Sequence, residues 1–157
     1  MEEFKQIFLE EAIRLSDESM SEGCGPFGCV IVKNDQIISQ GKNRVTLKND
    51  PTAHAEMVAI RAACKSLNSF QLSDCIIYCS CEPCPMCLGA IYWARPKNVF
   101  FANTQSQAAE IGFDDRFIYR EINAEFANRS IPMNHVPNKI AEQIFEDWKN
   151  SLNKIMY

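Results

Sequence analysis

Apolar positions recur at helical spacing through the start of the chain. Phe4, Ile7, Phe8, Ala12 and Leu15, with Glu and Lys between them, predict a helix over residues 2–22. Gly23 and Gly25-Pro26 end it. The pattern then changes: Phe27–Lys33 (FGCVIVK) is a run rich in β-branched residues and predicts a buried strand. Asn34-Asp35 supplies a turn, and Gln36–Gly41 returns as a second strand. Asn43 opens a polar loop, Arg44–Pro51. His54–Leu67 is apolar nearly all round, with Arg61 and Lys65 as a solvated edge, and predicts a helix buried against a sheet. Asp74–Ser80 predicts a third strand, Pro85–Ala94 a helix ended by Pro96, and Lys97–Ala102 a fourth strand. Helix, strand, helix and strand in succession imply parallel crossover units and an α/β/α sandwich. After Thr104 the pattern loosens. Gln105–Glu110 is a short helix, Gly112–Asp115 a turn, Phe117–Tyr119 an aromatic-rich piece, and 123–137 a loop with Pro132 and Pro137. A last helix from Asn138 carries one apolar stripe, Ile140, Ile144, Phe145, Trp148, Leu152 and Ile155. The stripe is core packing, of this chain's core or of a partner's.

The chain's 157 residues suit a single domain, and 46% hydrophobic residues suffice for a core without covalent staples. The eight cysteines raise the possibility of a disulfide framework. The acidic, amphipathic start MEEFKQIFLEE lacks the basic and apolar regions of a secretory signal, and no run reaches the roughly 18 apolar residues of a membrane span. A cytoplasmic protein with reduced thiols is the expectation, with no membrane partner. The net charge of −4 and the lack of a basic cluster weigh against a nucleic-acid partner and favour a small neutral substrate.

Two segments carry the chemistry: Pro51-Thr52-Ala53-His54-Ala55-Glu56 and Cys81-Glu82-Pro83-Cys84-Pro85-Met86-Cys87. They offer His54, Cys84 and Cys87 as three zinc ligands, and Glu56 as a carboxylate beside them. Structural zinc usually takes four protein ligands, whereas catalytic zinc takes three and keeps one position for water. H-x-E followed by P-C-x-x-C is an established signature of zinc nucleobase deaminases. The spacing has a physical reason. A Cys-x-x-Cys pair opening a helix puts both sulfurs at its positive end, where thiolates are favoured, and Pro85 suits the first turn. The bland alternatives are specific. Cys79 or Cys81 could close a structural four-ligand site. Trp93 and Phe27 could be packing residues, Asn43 a turn residue, and Asp114 or Asp115 a turn or helix cap.

The segments PTAHAEMVAIRAAC, CEPCPMCLGAIYWARP and GFDDRFIYREI, with the terminal Tyr157, resemble the bacterial guanine deaminases of the cytidine-deaminase-like fold. The zinc motif identifies only the superfamily; IYWAR, FDD-x-FIY and the terminal tyrosine are more specific. The resemblance implies a three-layer α/β/α sandwich around a mixed five-stranded sheet. It also implies a homodimer that exchanges a C-terminal segment, about 132–157, between subunits. The implied reaction is guanine plus water to xanthine plus ammonia, with one Zn2+ per subunit and a purine base as the small-molecule partner. It makes His54, Cys84 and Cys87 the zinc ligands and Glu56 the proton shuttle. Phe27 and Trp93 would lie against the purine faces, Asn43 and the backbone at Ala55 on the ring edge. Asp115, rather than Asp114, would bind the ring and share in proton transfer, and Tyr157 would reach the substrate, in cis or from the partner. Three competing functions remain at this level. They are deamination of guanosine or another purine or pyrimidine, deamination of adenosine in tRNA, and a zinc-stabilised binding module without catalysis. In the last, Glu56 has no task and chelation unfolds the protein.

Overall fold

The computed structural model describes residues 4–157 and divides into two compact units, Met1–Asp115 and Arg116–Tyr157. In the first, α1 runs Gln6–Ser21, so the expected helix start at Glu2 lies outside the described residues. β1 (Gly28–Lys33) and β2 (Gln36–Lys42) form the expected hairpin, turned by Asn34 and Asp35, both with positive φ. The loop expected after it contains a short helix, α2 (Val45–Lys48), which four residues are too few to announce by periodicity. Then follow α3 (Ala55–Leu67), β3 (Ile76–Cys81), α4 (Pro85–Ala94), β4 (Asn98–Asn103) and α5 (Gln105–Glu110).

The sheet order is β2-β1-β3-β4. β1 is antiparallel to β2 and β3, and β3 is parallel to β4 across the α4 crossover. The sheet is therefore mixed, as expected, but among the described residues it has four strands where five were expected. The chain beyond β4 turns helical: Thr104 caps α5 with a reciprocal Thr104–Gln107 box, and the aromatic-rich piece lies in α6 (Arg116–Asn123).

Strand alternation divides the core into two layers. Cys29, Ile31, Ile77 and Cys79 face Ala55, Ala59, Ile60 and Ala63 of α3 and Ile91 and Ala94 of α4. Val30, Val32 and Tyr78 face the other way, onto Phe8, Ala12 and Leu15 of α1. The result is the three-layer sandwich. Each fully buried Ile or Leu contributes about 1.5–3 kcal/mol to holding these layers together. Two glycines permit the close approach. A Cβ at Gly28 would collide with the Ala12 carbonyl of α1, and one at Gly41 with the Ala55 carbonyl of α3. Gly41 thus seats β2 directly beneath the start of α3, where the first chemical motif lies.

In the second unit, α6 is followed by a 3₁₀ turn (Phe126–Asn128) and α7 (Lys139–Asn150), capped by Asn138 Oδ1. Arg129 organises the segment between them: its guanidinium donates to the Ile122 and Ala124 carbonyls and lies 4.6 Å over the Phe126 ring. The helix stops at Asn150, so Leu152 and Ile155 lie beyond it rather than extending its stripe. Among the described residues, no helix is long and apolar enough to cross a membrane.

Candidate active site

Both chemical motifs open helices. His54 is the N-cap of α3, with Ala55 and Glu56 in its first turn; Cys84 is the N-cap of α4, with Pro85 next and Cys87 following. β3 delivers the chain to Cys84, and the end of β2 lies under α3, so the two helix N-termini converge at one edge of the sheet. Such edges, where helix N-termini meet strand ends, are where open α/β sheets build sites.

His54 Nδ1 lies 3.4 Å from Cys84 Sγ and 3.6 Å from Cys87 Sγ. One ligand atom from each of the three residues falls within 4.8 Å of the others. Tetrahedral zinc with bonds of about 2.3 Å to sulfur and 2.0–2.1 Å to nitrogen has nitrogen–sulfur edges near 3.5 Å, so these donors fit zinc. Cys81 is not part of the group; its Sγ faces the Thr104 carbonyl at 3.7 Å. Cys79 pairs with Cys29 across β1 and β3, the two sulfurs 4.0 Å apart. Neither residue closes a fourth position, and all eight cysteines are free thiols.

The hydrogen bond with Cys87, aided by His54, pushes the Cys84 thiol down to about 4 against the effect of its burial. Cys87 is pushed up in turn, first by its bond to Cys84 and then by burial and the Glu56 charge. Glu56 is 8% exposed and interacts with the Cys87 side chain. Burial raises its pKa, favouring the protonated acid.

The other residues expected at the site have hydrogen-bonding and aromatic contacts of their own. Phe27 and Asn43 face each other just beyond the last β1–β2 pair: the Asn43 N–H donates to the Phe27 carbonyl at 3.1 Å. Ser19, fully buried in α1, contacts both sides of that junction with Oγ, 2.8 Å from the Gly25 carbonyl and 3.2 Å from that of Asn43. Asn43 Oδ1 accepts from the Val45 N–H at 3.1 Å. Its acceptor is thereby engaged in a turn, and its side-chain N–H groups are left as the donors. Ala55 is fully buried at the first position of α3, where the backbone N–H has no intrahelical acceptor.

Asp115 is half-buried and accepts from Gln105 Nε2 at 2.6 Å. Burial raises its pKa, the Gln105 hydrogen bond works against that, and the Cys84 charge adds to the rise. Phe113 meets Phe27 edge-on, ring centroids 4.9 Å apart. Gln105 did not stand out in the sequence; Phe113 was marked only as part of the FDD-x-FIY motif, with no role given to it.

Trp93 stands apart. It lies six residues beyond Cys87, about 9 Å further along the α4 axis, and its side chain is mostly exposed. Tyr157 ends the second unit, also exposed.

A mixed α/β sandwich with a His-Cys-Cys group and a buried glutamate at two helix N-termini defines the class of zinc-dependent base deaminases. The family described as "Cytidine and deoxycytidylate deaminase zinc-binding region" matches residues 2–103, and the chain belongs to it. Within that family it is 55% identical over 153 residues to the guanine deaminase of Bacillus subtilis (strain 168), covering 97% of this chain and 98% of that one. The X-ray structure of guanine deaminase from Bacillus subtilis superposes with a TM-score of 0.95 at 54% identity, over 99% of each chain. A tRNA-specific adenosine deaminase of Aquifex aeolicus is 43% identical, over 62% of this chain and 65% of its own length. The resemblance to bacterial guanine deaminases read from the sequence is therefore borne out.

Proposed function

We propose that this chain catalyses the zinc-dependent hydrolytic deamination of guanine to xanthine and ammonia. The observation that carries the reading is the three-donor group with a buried carboxyl beside it, in a chain similar over nearly its full length to a guanine deaminase. The tRNA-directed relative matches a smaller share of the chain.

In this reading His54, Cys84 and Cys87 hold one zinc per subunit. Zinc bound there supplies Lewis acidity that makes a water molecule acidic near neutral pH. Glu56 would take one proton from the attacking water and deliver it to a ring nitrogen as the C2–O bond forms at the carbon bearing the amino group. It would then take the second proton from the new C2 hydroxyl and, with Asp115, deliver it to the amine, so that the C–N bond breaks, ammonia leaves and the C2 carbonyl forms. The N–H donors left on Asn43 suit the acceptor atoms on guanine's ring edge, and the Ala55 N–H suits a second one. Phe27, braced by Phe113, offers an apolar face for the purine. The family resemblance alone assigns Trp93 to a purine face; Tyr157 closes the site from the partner subunit of a homodimer that exchanges residues of about 132–157. The exposed apolar face of α7 supports that exchange. The reducing cytoplasm suits the eight free thiols.

Ammonia release measured over guanine, guanosine, adenine, cytosine, cytidine and an adenosine-containing tRNA anticodon stem tests the reading. Guanine should be turned over with the highest kcat/KM. Ammonia from guanosine or the tRNA stem, with none from guanine, would overturn the substrate assignment.

A further inference from the structure

The turn between β4 and α5 carries a side chain to which none of the roles above gives a task. Gln105 is the first residue of α5. Its turn is held from two sides. Thr104 and Gln107 cap each other, the Thr104 N–H donating to Gln107 Oε1 at 2.8 Å. The Gln105 N–H donates to Glu82 Oε2 at 2.8 Å, and the Glu82 N–H donates to the Asn103 carbonyl at 2.8 Å. Glu82 lies in the loop that leads to Cys84, so the metal-binding loop and the Gln105 turn are stitched together. From this support Gln105 Nε2 donates to Asp115 Oδ1 at 2.6 Å.

We propose that Gln105 is a positioning residue for deamination: it commits one oxygen of Asp115 to a fixed amide donor, holds the carboxyl in one orientation, and leaves the other oxygen for the substrate. The inference rests on the reading that Asp115 contacts the substrate. Asp115 follows an exposed turn and directly precedes α6; its own backbone hydrogen-bonds the carboxyl, and the Gln105 amide adds a side-chain donor from across the turn. An amide is suited to this task. A carboxylate only accepts, so its partner must donate. An Arg or Lys donor would add a full positive charge that holds Asp115 as the anion; the neutral Gln105 amide favours the anion through its hydrogen bond alone, while burial pulls the other way. The Cys84-bearing loop and Asp115 are thereby placed in one frame through Glu82 and Gln105.

The test compares Gln105→Met, Asp115→Ala and the double variant, each assayed for zinc content, thermal midpoint, and kcat and KM with guanine. Methionine keeps the length of the side chain and removes the donor. Gln105→Met should lower kcat/KM about 10- to 100-fold, the range for loss of one hydrogen bond to a charged acceptor, with the fall chiefly in kcat. Zinc content and thermal midpoint should match the parent. In the Asp115→Ala background the same substitution should cost less than about twofold, because its target is gone. An equal loss in both backgrounds, parent-like kinetics of Gln105→Met, or activity falling in step with zinc content would each overturn the positioning role. Asp115→Ala with parent-like kinetics would instead remove the substrate contact of Asp115 on which the inference stands.

Discussion

Glu56→Gln should yield a folded, zinc-loaded protein whose guanine turnover falls by about 10²–10⁴-fold, the contribution of a well-placed general acid–base group. Glutamine keeps the size of the side chain and its ability to hydrogen-bond near Cys87, so packing under α3 is preserved. What it lacks is a proton that can be taken up and released. Glu56 is buried at the first turn of α3, and two opposing influences act on it. The positive end of the helix favours the anion, and burial, the larger influence on its pKa, favours the neutral acid. Metal analysis and ammonia release on the purified variant check both halves of the expectation. Turnover near the parent rate would remove Glu56 from its role, and loss of zinc would make it a support of the metal group instead.

The second large effect concerns the C-terminal tail. Ile140, Ile144, Phe145 and Trp148 of α7 are 73%, 59%, 80% and 50% exposed, and Tyr157 is 66% exposed. A helix of twelve residues is marginal in water by itself, and an exposed apolar stripe of this size calls for a covering surface. With the proposed exchange, that surface is a second copy of the chain, and Tyr157 works in the partner's site. Deleting Met156 and Tyr157 should then lower guanine turnover by about 10²-fold, as expected when a positioning contact is lost, while zinc content stays intact. Mixing the truncated chain with equal Glu56→Gln chain under conditions of subunit exchange should restore about a quarter of the parent activity. This is the share of competent sites in randomly assembled two-fold dimers. No gain on mixing would place the tail's action within its own chain, and unchanged kinetics on deletion would remove Tyr157 from the site.

Much of this was legible in the sequence, for physical reasons. The bounds of α4 follow from Cys84 as cap, Pro85 at the first helical position and Pro96 after the end, each a strong local constraint. The β1–β2 hairpin followed from a β-branched run broken by Asn34-Asp35, residues that tolerate the left-handed region. The metal group was legible because two helix N-termini fix where short side chains can reach. The region after β4 was less so. In Phe117, Ile118, Tyr119 and Ile122 the apolar spacing does not separate strand from helix over so short a stretch, and the fifth strand inferred from family resemblance is absent from the described residues. Likewise, periodicity carried the last stripe on to Ile155, whereas the helix ends at Asn150, since apolar residues past a helix end can keep the same spacing by chance. Gln105 was invisible because its partner is ten residues away across a turn, and no local pattern announces a hydrogen bond made by tertiary placement.

Zinc-edge X-ray absorption on the loaded protein addresses the metal group itself. Two sulfur neighbours at about 2.3 Å and two nitrogen or oxygen neighbours at about 2.0–2.1 Å are expected, with Cys84, Cys87 and His54 as the protein donors and one position left to water. A third sulfur in the shell would mean that Cys81 or Cys79 closes the site, and a zinc closed in that way would leave Glu56 nothing to activate.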